Sequence, residues 1–182
     1  MSVFSNRSTD PPQERANYSK AVLELLGGRD PVSVLQETPA AAARAIEGLS
    51  PAQLRKPEAP DKWSITQVLQ HLADSDLVWG WRVRLILAQD RPVLTGYDQD
   101  LWADRLHYAD ADPDEALEQL RVLRRGNLGL IARATPDDLK RVGVHSERGE
   151  ESVGYLCGLY AGHDLLHLRQ IDRIRATVLT SR

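Results

Sequence analysis

Apolar positions recur every three or four residues along most of the chain, the spacing of helices that bury one face. The clearest run is Ile65, Val68, Leu69, Leu72, Trp79, Val83 and Ile86. Ser64 stands before it as an N-cap, and Gln67 three residues on completes a capping box. The helix is predicted to last to about residue 88, ahead of Arg91-Pro92. A second stripe, Val153, Leu156, Tyr160, His163, His167, Ile171, Ile174 and Val178, predicts a final helix over about residues 151–178. Its steps of three and four are the seam of a helix packed in a bundle. Ala116, Leu120, Leu123, Leu130 and Ala134 mark another helix. It opens on Asp112 as N-cap and Pro113 as first helical residue, with Glu115 near the positive end of the dipole. Gly126 and Gly129 weaken it by roughly 1 kcal/mol each relative to Ala and can permit close helix packing.

The remaining elements are shorter. A helix over residues 13–26 stops at Gly27-Gly28. A further region begins at Asp30-Pro31, where Pro39 breaks a continuous helix. Thr38 then reads as an N-cap, Pro39 as the first helical residue, and Ala42, Ile46 and Leu49 as the buried face, ended by Ser50-Pro51. A short helix is expected over residues 99–105. Strand signals are confined to runs such as residues 142–144, and one strand makes no sheet. The pattern predicts an all-α fold: a four-helix bundle with an extra N-terminal helix and a long connection between the second and third bundle helices. Residues 1–12 read as a flexible polar tail and residues 13–182 as a single domain.

Composition narrows the function. With 23 Lys+Arg against 26 Asp+Glu the net charge is −3, which argues against a nucleic-acid partner. No segment approaches the ~20 apolar residues of a membrane span, and the start of the chain lacks the apolar stretch of a signal peptide. A cytoplasmic protein is the default expectation. The single cysteine, Cys157, excludes an internal disulfide and any site of several thiolates in one subunit. Beside Leu156 on the apolar stripe, it reads as a buried core residue rather than a nucleophile.

The candidate chemistry lies in the histidines. His163 and His167 are spaced i, i+4, one turn apart on one face, and can aim ring nitrogens at one metal ion. His71, at the edge of its helix's apolar arc, can face the same interior. Three neutral imidazoles would leave open metal positions, the mark of a catalytic site. A half-exposed, idle His71 is the bland alternative. Asp164 and Asp74 stand three positions from His167 and His71, placed either to fix a histidine tautomer or as surface carboxylates. His107 and His145 read as loop residues, although His145 can approach a site at its end of the bundle. His163-Asp164-Leu165-Leu166-His167 departs from H-E-x-x-H in its second residue, and no P-loop, dinucleotide or nucleophile-elbow motif occurs. Trp79 and Trp81 point to different faces, a hint of dimerisation.

Three segments in order carry a resemblance: Lys62-Trp63-Ser64 with His71-Leu72-Ala73-Asp74, then Arg91-Pro92, then Gly162-His163-Asp164-Leu165-Leu166-His167-Leu168-Arg169-Gln170-Ile171. Over roughly residues 30–179 the chain resembles the DinB/YfiT-like superfamily, whose members are assigned metal-dependent chemistry. The resemblance implies an up-down-down-up four-helix bundle and a divalent metal on His71, His163 and His167; imidazole suits zinc, nickel, copper and iron alike, and zinc is expected first, nickel next. Thiol S-transferases are among the characterised relatives. It therefore points to transfer of a low-molecular-weight thiol to a small-molecule electrophile, and to a homodimer. Two other readings stay open: a metal-dependent hydrolase using metal-bound water, and a non-catalytic metal-binding stress-response protein. The catalytic residues and the substrate are not legible, and no organic cofactor is implied.

Overall fold

The computed structural model describes residues 12–180, so the expected tail over residues 1–12 lies outside the described residues but for Pro12. Helix α1 (Pro12–Glu24) leads into Gly27 and Gly28, both at positive φ. Four helices then form the bundle: α2 (Pro31–Ile46), α4 (Ile65–Ala88), α6 (Pro113–Ile131) and α7 (Val153–Thr180), with the short α3 (Pro51–Arg55) and α5 (Gln99–Arg105) between them. Ser64 and Gln67 form the expected capping box at α4, and Asp112 caps α6.

Side-chain bonds fix the helix directions. Asp74 meets Gln119 and Asp76 meets Arg124, so α4 and α6 run parallel. His71 lies by His163 while Arg82 meets Tyr160, so α4 and α7 are antiparallel. Arg124 joins Leu35 to Asp164, and Arg175 donates to the carbonyls of Ala45 and Glu47, so α2 and α7 are parallel. The bundle is therefore up-down-down-up. Parallel α4 and α6 require the long connection over residues 89–112, which carries the chain back along the bundle.

Two expectations need correction. Pro39 does not break α2, which runs continuously from an Asp30 cap; Thr38 lies inside it and donates to the Val34 carbonyl. Proline at 39 leaves the Leu35 carbonyl without its helical donor. Arg124 fills that vacancy at 2.6 Å. α2 ends at Ile46, four residues ahead of Ser50, and Ser50-Pro51 instead caps and opens α3. The chain also forms a small sheet: β1 (Val93–Leu94) pairs in parallel with β2 (Val142–His145), which pairs antiparallel with β3 (Gly149–Ser152). The expected lone strand finds partners from distant segments, which no local pattern reveals.

The glycines expected to allow close packing in α6 do not. A Cβ on Gly126 would meet nothing within 4 Å, and on Gly129 only the end of Arg133. Close approach falls at Gly80, against Asn127, and at Gly162, where a Cβ would run into the Val22 carbonyl of α1. A backbone carbonyl cannot swing aside. Gly162→Ala is expected to cost about 1–3 kcal/mol, whereas Gly126→Ala should gain up to about 1 kcal/mol from helix propensity. Urea unfolding of the two variants checks this.

Candidate metal centre

α4 and α7 bring the three expected histidines together. His71 is buried on α4, not idle at its shoulder, and Trp63 packs on its ring at 5.0 Å. His163 and His167 lie one turn apart on α7, their rings edge to face with centroids 4.4 Å apart. The Nε2 of His163 lies 3.0 Å from that of His71 and 3.1 Å from that of His167. His107 and His145 lie outside this cluster. His107 is exposed, at positive φ before a short turn. His145 sits at the end of β2, its Nε2 3.2 Å from an Arg82 nitrogen.

The proton count favours a cation at this point. His167 Nδ1 donates to the Gln170 side-chain oxygen at 2.8 Å, leaving its Nε2 as a lone pair. His163 Nε2 can offer one proton, to one neighbour only, yet it faces two nitrogens. The Nδ1 atoms of His71 and His163 have no partner among the described residues. Nδ1–H tautomers throughout would point three lone pairs at one centre, an arrangement that is repulsive without a positive ion. Two ligands of a tetrahedral zinc at ~2.0–2.1 Å lie about 3.3 Å apart, close to the spacing seen. The donor set therefore fits a divalent ion, and three ligands leave open positions.

Electrostatics agree. Burial holds His163 down to about 4, helped by the charge of Arg124, and holds His167 down to about 3, helped by His163. His71 is pushed well below the usual imidazole value, by burial first and then by the other two rings. All three are neutral near pH 7, as ligands must be. In metal-free protein the unfolded histidines take protons near 6.5 and the buried ones only near 4 and 3. Their stabilising contribution is thus complete above pH 6.5 and is lost as pH falls from there through about 4. The melting temperature of chelator-treated protein should drop over that window, less steeply in a His163→Gln, His167→Gln double variant.

The two candidate carboxylates do other work. Asp74 accepts from Tyr108 Oη at 2.6 Å and from Gln119, not from His71. Asp164 pairs with Arg124 at 2.7 Å, not with His167. Arg124 also pairs with Asp76 at 2.8 Å. Burial lifts Asp76 to about 6, against the pull of Arg124. One buried guanidinium thus ties α2, α4, α6 and α7 together, beside His163. Sequence reasoning missed it because an arginine in a helix reads as a solvated face. Gln170 could have been found: it follows His167 by one helical turn.

A pocket opens on one side of the cluster. His163, Ser75, Tyr97, Tyr160, Arg82 and Arg148 are among its walls. Ser75 Oγ lies 3.4 Å from His71 Nε2 and 3.2 Å from Tyr97 Oη. Tyr97 is pushed up to about 12, chiefly by burial, and keeps its proton at neutral pH. Cys157 is buried, its thiol pushed up to about 11 by burial, as expected of a core residue.

The profile of the DinB superfamily matches residues 35–171. A Bacillus subtilis relative named "Putative metal-dependent hydrolase YfiT" is 30% identical over 144 residues, 79% of this chain and 81% of that protein. A relative from Oceanobacillus iheyensis, also named a "putative metal-dependent hydrolase", is 28% identical over 143 residues, 79% of this chain and 83% of its own. Among solved structures, "YfiT from Bacillus subtilis is a probable metal-dependent hydrolase with an unusual four-helix bundle topology" superposes with a TM-score of 0.72. It is 25% identical and covers 93% of this chain and 92% of that one.

Proposed function

The chain belongs to the DinB superfamily, and from that premise we propose that it is a metal-dependent hydrolase whose divalent ion is held by His71, His163 and His167. The observation that carries this reading is the convergence of three neutral imidazoles, of which His163 lines a pocket. A metal sealed in by side chains would instead suit a purely structural role. The names of the relatives point to hydrolysis over the thiol transfer that the sequence resemblance first suggested.

When bound, the ion supplies Lewis acidity and lowers the pKa of water toward ~7. The chain's own residues do the rest. Gln170 holds the His167 tautomer, and the Arg124–Asp164 pair locks the turn of α7 that carries His163. Tyr97 and Ser75 share a hydrogen bond at the pocket wall beside His71, which leaves one hydroxyl proton that a substrate carbonyl oxygen can accept. Tyr160 walls the pocket and is held from behind by Trp79, with which it stacks at a ring-centroid distance of 5.9 Å. Imidazole ligands suit zinc, nickel, copper and iron alike; zinc is the ion we expect first and nickel next.

The test is hydrolysis of small esters and amides by metal-loaded protein without any thiol. Turnover that chelation abolishes and zinc or nickel restores is the expected result. Thiol consumption with monobromobimane, without thiol-free hydrolysis, would replace this reading with thiol transfer.

A further inference from the structure

Arg82 is a buried cation without an acid. Its residue is 4% exposed, and no carboxylate among the described residues pairs with it. Arg124 and Arg148 differ: the first has Asp76 and Asp164, the second a two-point contact with Glu151 at 2.6 and 3.1 Å. The Arg82 nitrogens instead meet Tyr160 Oη at 3.1 Å, the Thr95 carbonyl at 2.7 Å and His145 Nε2 at 3.2 Å. None of these carries a negative charge. A guanidinium stays protonated at any working pH, and an unpaired buried charge is costly. Of its five N–H groups, these contacts occupy three.

Its position gives that charge a use. Arg82 lines the same pocket as His163. Tyr160 links the two, with its hydroxyl on Arg82 and its ring centroid 6.1 Å from that of His163. Ser75 and the ring of Tyr97 line the same space. Glu147 also lines it, from the side of Gly96, but does not pair with Arg82. We infer that Arg82 anchors a compact oxyanion on the substrate, a carboxylate or a phosphate, while the bond to be cleaved faces His163. The identity of the cleaved bond rests on the hydrolase reading; the anion site does not. The donors that remain, the Nε–H and one Nη1–H, can each give such a group a charge-assisted hydrogen bond.

The probes are sodium propionate and inorganic phosphate, added at constant ionic strength to chelator-treated full-length protein, so that no metal can take the anion. A ligand of the folded state raises the melting temperature by mass action. One of the two anions should do so in the wild type and not in Arg82→Gln, and which one does separates carboxylate from phosphate. No rise with either anion in the wild type overturns the proposal, as does a rise that persists in Arg82→Gln. If Arg82→Gln does not fold, Arg82→Lys keeps the charge but loses the separate guanidinium donors and should bind at least tenfold more weakly; unchanged binding overturns the anchor. With metal restored, an ester bearing a carboxylate should be preferred by kcat/KM over its neutral analogue at least tenfold, and Arg82→Gln should bring that ratio to about one. Anion binding without any ester turnover would leave the anchor standing and remove the hydrolase reading.

Discussion

His167→Ala is expected to empty the protein of divalent metal and abolish turnover together, while the wild type carries close to one ion per chain. Two nitrogens cannot hold what three hold, and the loss should exceed that from Gln170→Ala. The glutamine only orients the ring by accepting its Nδ1–H at 2.8 Å, and removing such a partner typically costs roughly 10–100-fold in metal affinity. Elemental analysis of wild type, Gln170→Ala and His167→Ala after identical zinc loading gives the order directly. Circular dichroism and melting of the chelator-treated proteins separate loss of metal from loss of fold. Full metal content in His167→Ala would mean that the three converging nitrogens are not the site.

Arg124→Met is expected to be the most destabilising single change described for this fold. It leaves the carboxylates of Asp76 and Asp164 buried without their counter-ion, and the Leu35 carbonyl without a donor. Breaking a buried ion pair from one side costs about 3–5 kcal/mol. For a chain of this size that corresponds to a fall of roughly 6–20 °C in melting temperature. The guanidinium also lies 5.8 Å from the centroid of the Trp79 ring, so packing is lost as well. Because Asp164 adjoins His163, the variant should hold metal more weakly too. Pro39→Ala gives the Leu35 carbonyl a helical donor again, so it should recover part of the loss in the Arg124→Met background but do little in the wild type. Thermal melts of the two single variants and the double variant measure that coupling. Equal effects of Pro39→Ala in both backgrounds would show that the proline and the arginine are independent.

The features legible in the chain are those whose causes are local. Ser64 with Gln67, and Asp112 with Pro113, start helices because a cap needs only its own next three residues. The stripes of α4 and α7 follow from helical period, and the same period puts His163 and His167 on one face. Gln170 shares that logic. What misled was Pro39, whose local cost is met by a side chain 85 positions away in sequence. The sheet was hidden for a similar reason: β1 is two residues long and pairs with a segment on the far side of α6. Arg82 and Arg124 carry no signal in a helical pattern, because position alone does not say whether a charge faces water or another helix.

The sequence by itself determined α4, α6 and α7, their buried faces and the three imidazoles available to a metal, since periodicity and capping act over a few residues. Only the tertiary structure decided that those imidazoles converge, that Asp74 and Asp164 turn away from them, and that Arg82 ends at a pocket wall with no carboxylate partner among the described residues. These are outcomes of which faces meet when helices distant in sequence pack, and burial then sets the charge and partner of every polar group it encloses.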